Sequence, residues 1–234
     1  IVTTDKIDNY PATPNISGFD FATNLYNQVK DLGVKVIFEK AIEIVDGDTK
    51  KVITDKNEYE GKSVIIAIGV RNRNLNIPGE KEFEGKGVSY CATCDGMFYK
   101  DKIVAVVGAG NTAFEEALYL SNICKKVYII HRNEKFKAST SMVKKVKAKD
   151  NVEFILNSNV VSINGKEKVS DIDIIDDAKN TSNIKLSAIF IAIGQIPENG
   201  NLTKNLKIDK NGYIKSDKNL KTNIDGIYVA GDIR

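Results

Sequence analysis

Apolar residues follow two kinds of pattern along the chain. Three runs are almost continuous: SVIIAIG (63–69), KIVAVVG (102–108) and LSAIFIAIG (186–194). A shorter one, GIYVAGD (226–232), ends in small residues and an acid. Such runs, closed by glycine, are the pattern of strands buried on both faces of a parallel sheet. Elsewhere apolar residues recur every three or four positions. This predicts a helix over 19–31 (Phe21, Leu25, Val29), a second over 111–123 and a third at about 136–149. Further strands are predicted at VKVIFE (34–39), KVYIIH (126–131) and 152–156. Turns at 46–48 and 55–58 suggest an antiparallel meander, and NYPATPNISG (9–18) reads as an ordered loop.

Strands alternating with helices argue for parallel sheets with right-handed crossovers. Polar, Pro- and Gly-containing stretches interrupt the alternation at 72–79 and 197–201. The predicted fold class is α/β, with two Rossmann-like parallel-sheet domains, one inserted into the other. Residues 1–73 and 200–234 form the host and 74–199 the insert. Ligands of open α/β sheets sit beyond the strand C-termini. Four such ends carry glycine here: Gly69, Gly108, Gly194 and Gly231.

GAGNTA (108–113) follows a predicted strand and opens a predicted helix, the G-x-G-x-x-A form of the dinucleotide fingerprint. Gly108 permits the tight turn, Gly110 removes the Cβ that would block a pyrophosphate, and Ala113 lets helix and strand pack closely. The helix N-terminus offers free N–H groups to phosphates. The next strand ends in His131-Arg132, where an NAD site would carry an acid. A guanidinium there suits a 2′-phosphate, so charge favours NADP over NAD. The alternative is a surface arginine beside a solvated histidine.

CATCD (91–95) places two thiols at a spacing that allows a reversible disulfide in a tight turn. Half a zinc site and an inert buried pair are the competing readings. Asp95 is either an acid/base beside the sulfurs or a turn cap. Cys124, at the end of a predicted helix, reads as a small buried apolar residue. His131 is the single histidine, which excludes a multi-histidine metal centre, and no metal is expected.

Composition narrows the class further. The formal charge is +3, which gives no argument for nucleic acid or a lipid surface. No apolar run approaches the ~18 residues that span a bilayer. Three cysteines do not make a secreted disulfide framework.

CATCDG (91–96), VVGAGNTAFEEALYLSN (106–122), IIHR (129–132), AIG (192–194) and YVAGD (228–232) occur in that order. Together they resemble the low-molecular-weight, bacterial-type thioredoxin reductases over nearly the whole chain. The resemblance implies a cytoplasmic homodimeric flavoprotein in which NADPH reduces FAD, FAD reduces the CxxC disulfide, and the dithiol reduces thioredoxin. By position, Cys94 resembles the thiol that faces the flavin, Cys91 the one that attacks the partner disulfide, and Asp95 the acid/base. Gly108, Gly110, Asn111, Thr112 and Ala113 match the NADPH pyrophosphate loop. His131 and Arg132 match the start of the 2′-phosphate motif, with Lys137 in place of a further arginine. Gly194 closes the AIG element, and Gly231 and Asp232 match the flavin motif that holds the ribityl chain. The resemblance thus makes 1–73 and 200–234 the FAD-binding domain and 74–199 the NADPH-binding domain. Because the CxxC and the nicotinamide site share one domain and must meet one flavin, that domain is expected to rotate about the two crossings.

The chain departs from the family in three ways. Asn133 stands where a second arginine is usual, and AIG (67–69) where ATG is commoner. No GxGxxG loop precedes residue 108, and the sequence ends soon after Asp232. The expectation is an FAD domain that is incomplete in this sequence. Rival readings are a flavoprotein reductase of a peroxiredoxin or glutaredoxin-like partner, a ferredoxin-dependent reductase, and a flavin-free NADP-binding redox module.

Overall fold

The computed structural model describes residues 2, 7, 10–13, 15–198 and 200–234. Asn9 and Pro14 of the expected loop, and Asn199 of the second crossing, lie outside the described residues. The chain divides into two compact units, Ile7–Arg71 with Gln195–Arg234, and Asn72–Gly194.

The first unit opens with helix α1 (Gly18–Asp31). Ser17 caps it reciprocally: its Oγ accepts the Asp20 N–H at 3.0 Å and donates to the Asp20 carboxylate at 2.7 Å. Of the predicted apolar stripe Phe21 is buried, whereas Leu25 is exposed. The predicted strand 34–39 does not form. A strand needs a hydrogen-bonded neighbour, and no described strand pairs with this stretch, which leaves Val36 and Phe38 in solvent. The meander does form, as β1 (Ala41–Val45), β2 (Lys50–Thr54) and β3 (Glu58–Gly61), all antiparallel. The run 63–69 is strand only as β4 (Val64–Ile66). Its expected burial on both faces is overturned by Ile65, which is 68% exposed. Among the described residues β4 gains one strand neighbour, and nothing covers the Ile65 face. The chain leaves this unit through β5 (Val70–Asn72).

The second unit holds β6 (Val88–Ser89), the short helix α2 (Ala92–Asp95), β7 (Ile103–Val107), α3 (Asn111–Ser121) and β8 (Lys126–Ile130). It continues through α4 (Thr140–Lys147), β9 (Val152–Ile155), β10 (Ser158–Gly165), β11 (Val169–Asp176), β12 (Thr181–Lys185) and β13 (Ala188–Ile191). Five of these strands form a parallel sheet in the order β6-β13-β7-β8-β9. Helix α4 starts later than the periodicity suggests. The N–H groups of Lys137 and Ala138 are spent on the Ala109 carbonyl, and Ser139 supplies the cap.

Strands β10, β11 and β12 make an antiparallel meander that the sequence reading leaves unassigned. Its apolar residues Val160, Ile163, Val169 and Ile172 pack with Ala105, Val107, Ile130 and Ile189 on one face of the parallel sheet. Phe114, Ala117 and Leu120 of α3 pack with Val104, Val106 and Ile129 on the other. Cover on both sides is the reason β7 reads as uninterrupted IVAVV.

The chain returns through β14 (Gln195–Pro197), which pairs with β5, and β15 (Ile227–Val229), which lies parallel to β4. The first unit's core is Ile66, Leu206, Ile214, Ile227, Val229 and Ile233. Among the described residues no helix is long and apolar enough to cross a membrane.

Candidate functional site

The order of the five-stranded sheet sets the site. From β7 the chain steps through α3 to β8 and β9 on one side, while β13 and β6 lie on the other. The strand order therefore reverses between β7 and β13, the switch point beyond whose strand ends a crevice is expected. Gly108 leaves β7, Gly194 follows β13, and the cysteine turn follows β6. His131 and Arg132 follow β8 at the same edge.

The strand ends are tightly joined. The Gly108 N–H donates to the Ile130 carbonyl at 3.0 Å, and the Ala192 N–H to the Val107 carbonyl at 2.8 Å. Gly108 takes φ +139°, and a Cβ there would collide with the Ala192 carbonyl oxygen. Gly110 differs: a Cβ built on it meets nothing within 4 Å. It precedes the first turn of α3, whose exposed Asn111 and Thr112 carry N–H groups with no intrahelical acceptor. The Asn111 side chain accepts the Ser139 N–H at 2.8 Å, which ties the loop to the start of α4. This is an open, N–H-lined cradle of the kind a pyrophosphate fills. Arg132 and Lys137 are exposed nearby in sequence, and burial, with Arg132 second, lowers the His131 pKa.

Cys91 and Cys94 form a disulfide, with their Cα atoms 5.3 Å apart. The Cys91 sulfur also caps α2, accepting the Cys94 N–H at 3.2 Å. Asp95 makes no capping bond to the 3-10 turn Gly96–Tyr99 that follows. Its carboxylate instead accepts the Ser89 hydroxyl at 2.6 Å, and the same hydroxyl accepts the Cys91 N–H at 3.1 Å. Ser89, 5% exposed, thus fixes the acid and the first cysteine together. Sequence reasoning missed it; the available signal was a hydroxyl two residues before the first cysteine. Replacing Ser89 by Ala removes these bonds and the hydroxyl's contact with the Cys91 carbonyl at 3.3 Å; the bond to the charged group alone is worth about 1.5–3 kcal/mol. Urea unfolding should show that loss, and disulfide reduction should slow, with Ser89→Thr recovering most of both.

Glu116 was also missed. Helical spacing sets it beside the buried Ala113, Ala117 and Leu120, while Glu115 is exposed. Its Oε1 accepts the Ala92 N–H at 3.4 Å, and burial pushes its carboxyl up to about 7. Cys124 is free and buried, its thiol donating to the Tyr99 carbonyl at 3.3 Å.

In the first unit Gly231, at φ +73°, and the exposed Asp232 follow β15 in a 3-10 turn. A Cβ on Gly231 would meet nothing within 4 Å, so a ligand can approach this backbone closely.

The chain matches the family model for pyridine nucleotide-disulphide oxidoreductases over residues 1–234. It is similar to the thioredoxin reductase of Mycoplasma genitalium, at 40% identity over 238 residues, covering all of this chain and 76% of that protein. The thioredoxin reductase of Ureaplasma parvum is 41% identical over 239 residues, with the same coverage of both chains. Among solved structures, the thioredoxin reductase of Streptococcus pyogenes is 38% identical with a TM-score of 0.77, over 99% of this chain and 77% of that one. The chain thus spans about three quarters of the length of these relatives.

Proposed function

The chain belongs to the pyridine nucleotide-disulphide oxidoreductase family, as a low-molecular-weight thioredoxin reductase, and from that membership we propose how its own residues carry the reaction. It is a thioredoxin-disulfide reductase, and its family uses FAD and NADPH. Gly108, Gly110, Asn111, Thr112 and Ala113 would hold the NADPH pyrophosphate, and His131, Arg132 and Lys137 its 2′-phosphate, with Gly194 beside them at the β13 exit. Gly231 and Asp232 would meet the flavin. The open space at Gly110 and at Gly231 supports both assignments. When bound, FAD supplies the chemistry that links a two-electron hydride donor to a disulfide.

Two electrons break the Cys91–Cys94 sulfur–sulfur bond and leave one thiol and one thiolate. Asp95, oriented by the Ser89 hydroxyl, would hold the proton that the leaving sulfur takes up. The thiolate then attacks the disulfide of thioredoxin, and the second sulfur resolves the mixed disulfide, which returns Cys91–Cys94 to its starting state. A protein substrate suits the apolar surface that follows the turn, where Met97 and Phe98 are 58% and 69% exposed. The proposal extends to a homodimer that works in the cytoplasm, with 1–73 and 200–234 as the FAD domain and 74–199 as the NADPH domain.

One observation carries this reading: a disulfide and a glycine-containing strand-to-helix loop share the C-terminal edge of one parallel sheet. The test is optical. The purified protein should show flavin absorbance that NADPH bleaches at concentrations where NADH does not, and oxidised thioredoxin should restore the colour. A colourless full-length protein, or bleaching that thioredoxin does not reverse, overturns it.

A further inference from the structure

Glu116 takes no part in the exchange described above, yet it lies against the redox turn. Its Oε1 holds the N–H of Ala92, the peptide next to Cys91, and Ala92 is fully buried. Its Oε2 is buried with no hydrogen-bond partner among the described residues. We propose that Glu116 is a positioning residue coupled to the disulfide, gaining a proton when Cys91–Cys94 is reduced and losing it when the disulfide re-forms. This rests on the reading of Cys91–Cys94 as the redox couple.

The surroundings favour the coupling. Helix α2 meets Glu116 through the Ala92 N–H and carries Cys94 and Asp95, with Cys91 at its N-cap; the 3-10 turn carries Tyr99, and α3 itself carries Glu115 and Tyr119. All of these are neutral or acidic. Of the other elements packed on α3, β8 carries Lys126, which is paired with Glu153, and α4 carries Lys144, Lys145 and Lys147, the last over the Phe136 ring. An ionised carboxylate with one oxygen buried and unpaired is costly, so its proton is held more tightly than usual. Reduction adds a negative charge to the turn. A like charge nearby favours the neutral carboxyl further.

The balance is simple. The disulfide takes two electrons and one proton to give a thiol and a thiolate, and the Glu116 carboxylate takes a second proton from water. The electrons come from the nicotinamide in turnover, or from dithiothreitol in the test. When the dithiol passes its electrons to thioredoxin, both protons leave. A neutral Glu116 beside the reduced turn therefore keeps a thiolate accessible near neutral pH.

Glu116→Gln separates charge from packing, because the amide oxygen can still accept the Ala92 N–H while the titration is gone. The enzyme is reduced with dithiothreitol and alkylated with iodoacetamide across the neutral pH range. The wild-type rate should rise in two overlapping steps, as coupled groups do. The Gln variant should rise in one step at lower pH and react about 2–5-fold faster just above neutrality. Superimposable profiles overturn the proposal. A second measurement needs no variant: the reduced-minus-oxidised infrared spectrum of the wild-type enzyme above neutral pH should gain a protonated-carboxyl band. Absence of that band also overturns it. Loss of thioredoxin reduction in both proteins, with the two-step titration intact, would instead count against the reductase reading alone.

Discussion

Cys91→Ser and Cys94→Ser should each reduce NADPH-dependent thioredoxin reduction to background, while Cys124→Ser should leave it within about twofold of wild type. The first pair fails for a reason of electron count. A lone thiol cannot store two electrons as a cleavable sulfur–sulfur bond, so the enzyme has nothing to hand to its substrate. Each variant keeps one sulfur on the turn, and only the one that attacks can be trapped with thioredoxin as a mixed disulfide. That trap identifies the attacking sulfur directly. Cys124 differs by environment. It is buried, it donates to the Tyr99 carbonyl, and burial pushes its thiol up to about 11, so it is not a thiolate at neutral pH. A serine there keeps a donor for that carbonyl and should cost about 1 kcal/mol in thermal or urea unfolding. Turnover of Cys91→Ser at more than a trace of the wild-type rate would mean that electrons leave the protein by another route.

The disulfide turn and the strand–glycine loop–helix unit were legible because each is set by local chemistry. Two thiols three positions apart can bond across one turn, and GAGNTA needs only a preceding strand and a following helix to make sense. The central strands β7 and β13 were legible for a similar reason, since cover on both faces makes them apolar without a break. What was not legible depends on distant partners. The meander Ser158–Lys185 has one buried face, and its register shifts between Val160 and Ser162 and again between Asn164 and Gly165. Those shifts break the period-two alternation that would have marked it. The stretch VKVIFE reads as a strand, but strand formation is decided by a neighbour, and none of the described strands supplies one. Ser89 and Glu116 were missed because their roles come from contacts: six residues separate Ser89 from Asp95, and twenty-four separate Ala92 from Glu116.

Gly108→Ala and Gly110→Ala should fail in opposite ways, though the two glycines lie two residues apart in one loop. At Gly108 the added methyl runs into the Ala192 carbonyl, and the residue sits at φ +139°, where side chains are strained. Strain of about 1–3 kcal/mol and overpacking of similar size add, so the variant should lose about 2–6 kcal/mol of stability. The β7 and β13 exits must also shift apart, and NADPH affinity should fall with stability. At Gly110 the methyl meets no protein atom within 4 Å, and φ is −84°, which any residue adopts. The folded protein should tolerate it with an unchanged melting temperature. The methyl would point into the space assigned to the pyrophosphate, so KM for NADPH should rise at least about tenfold (about 1.4 kcal/mol) with little change in the reduction of thioredoxin by dithiothreitol-reduced enzyme. Melting curves and KM values for the two variants, measured side by side, decide the matter. If Gly110→Ala binds NADPH like the wild type, the dinucleotide does not lie on this loop, and its place at the crevice between β7 and β13 must be given up.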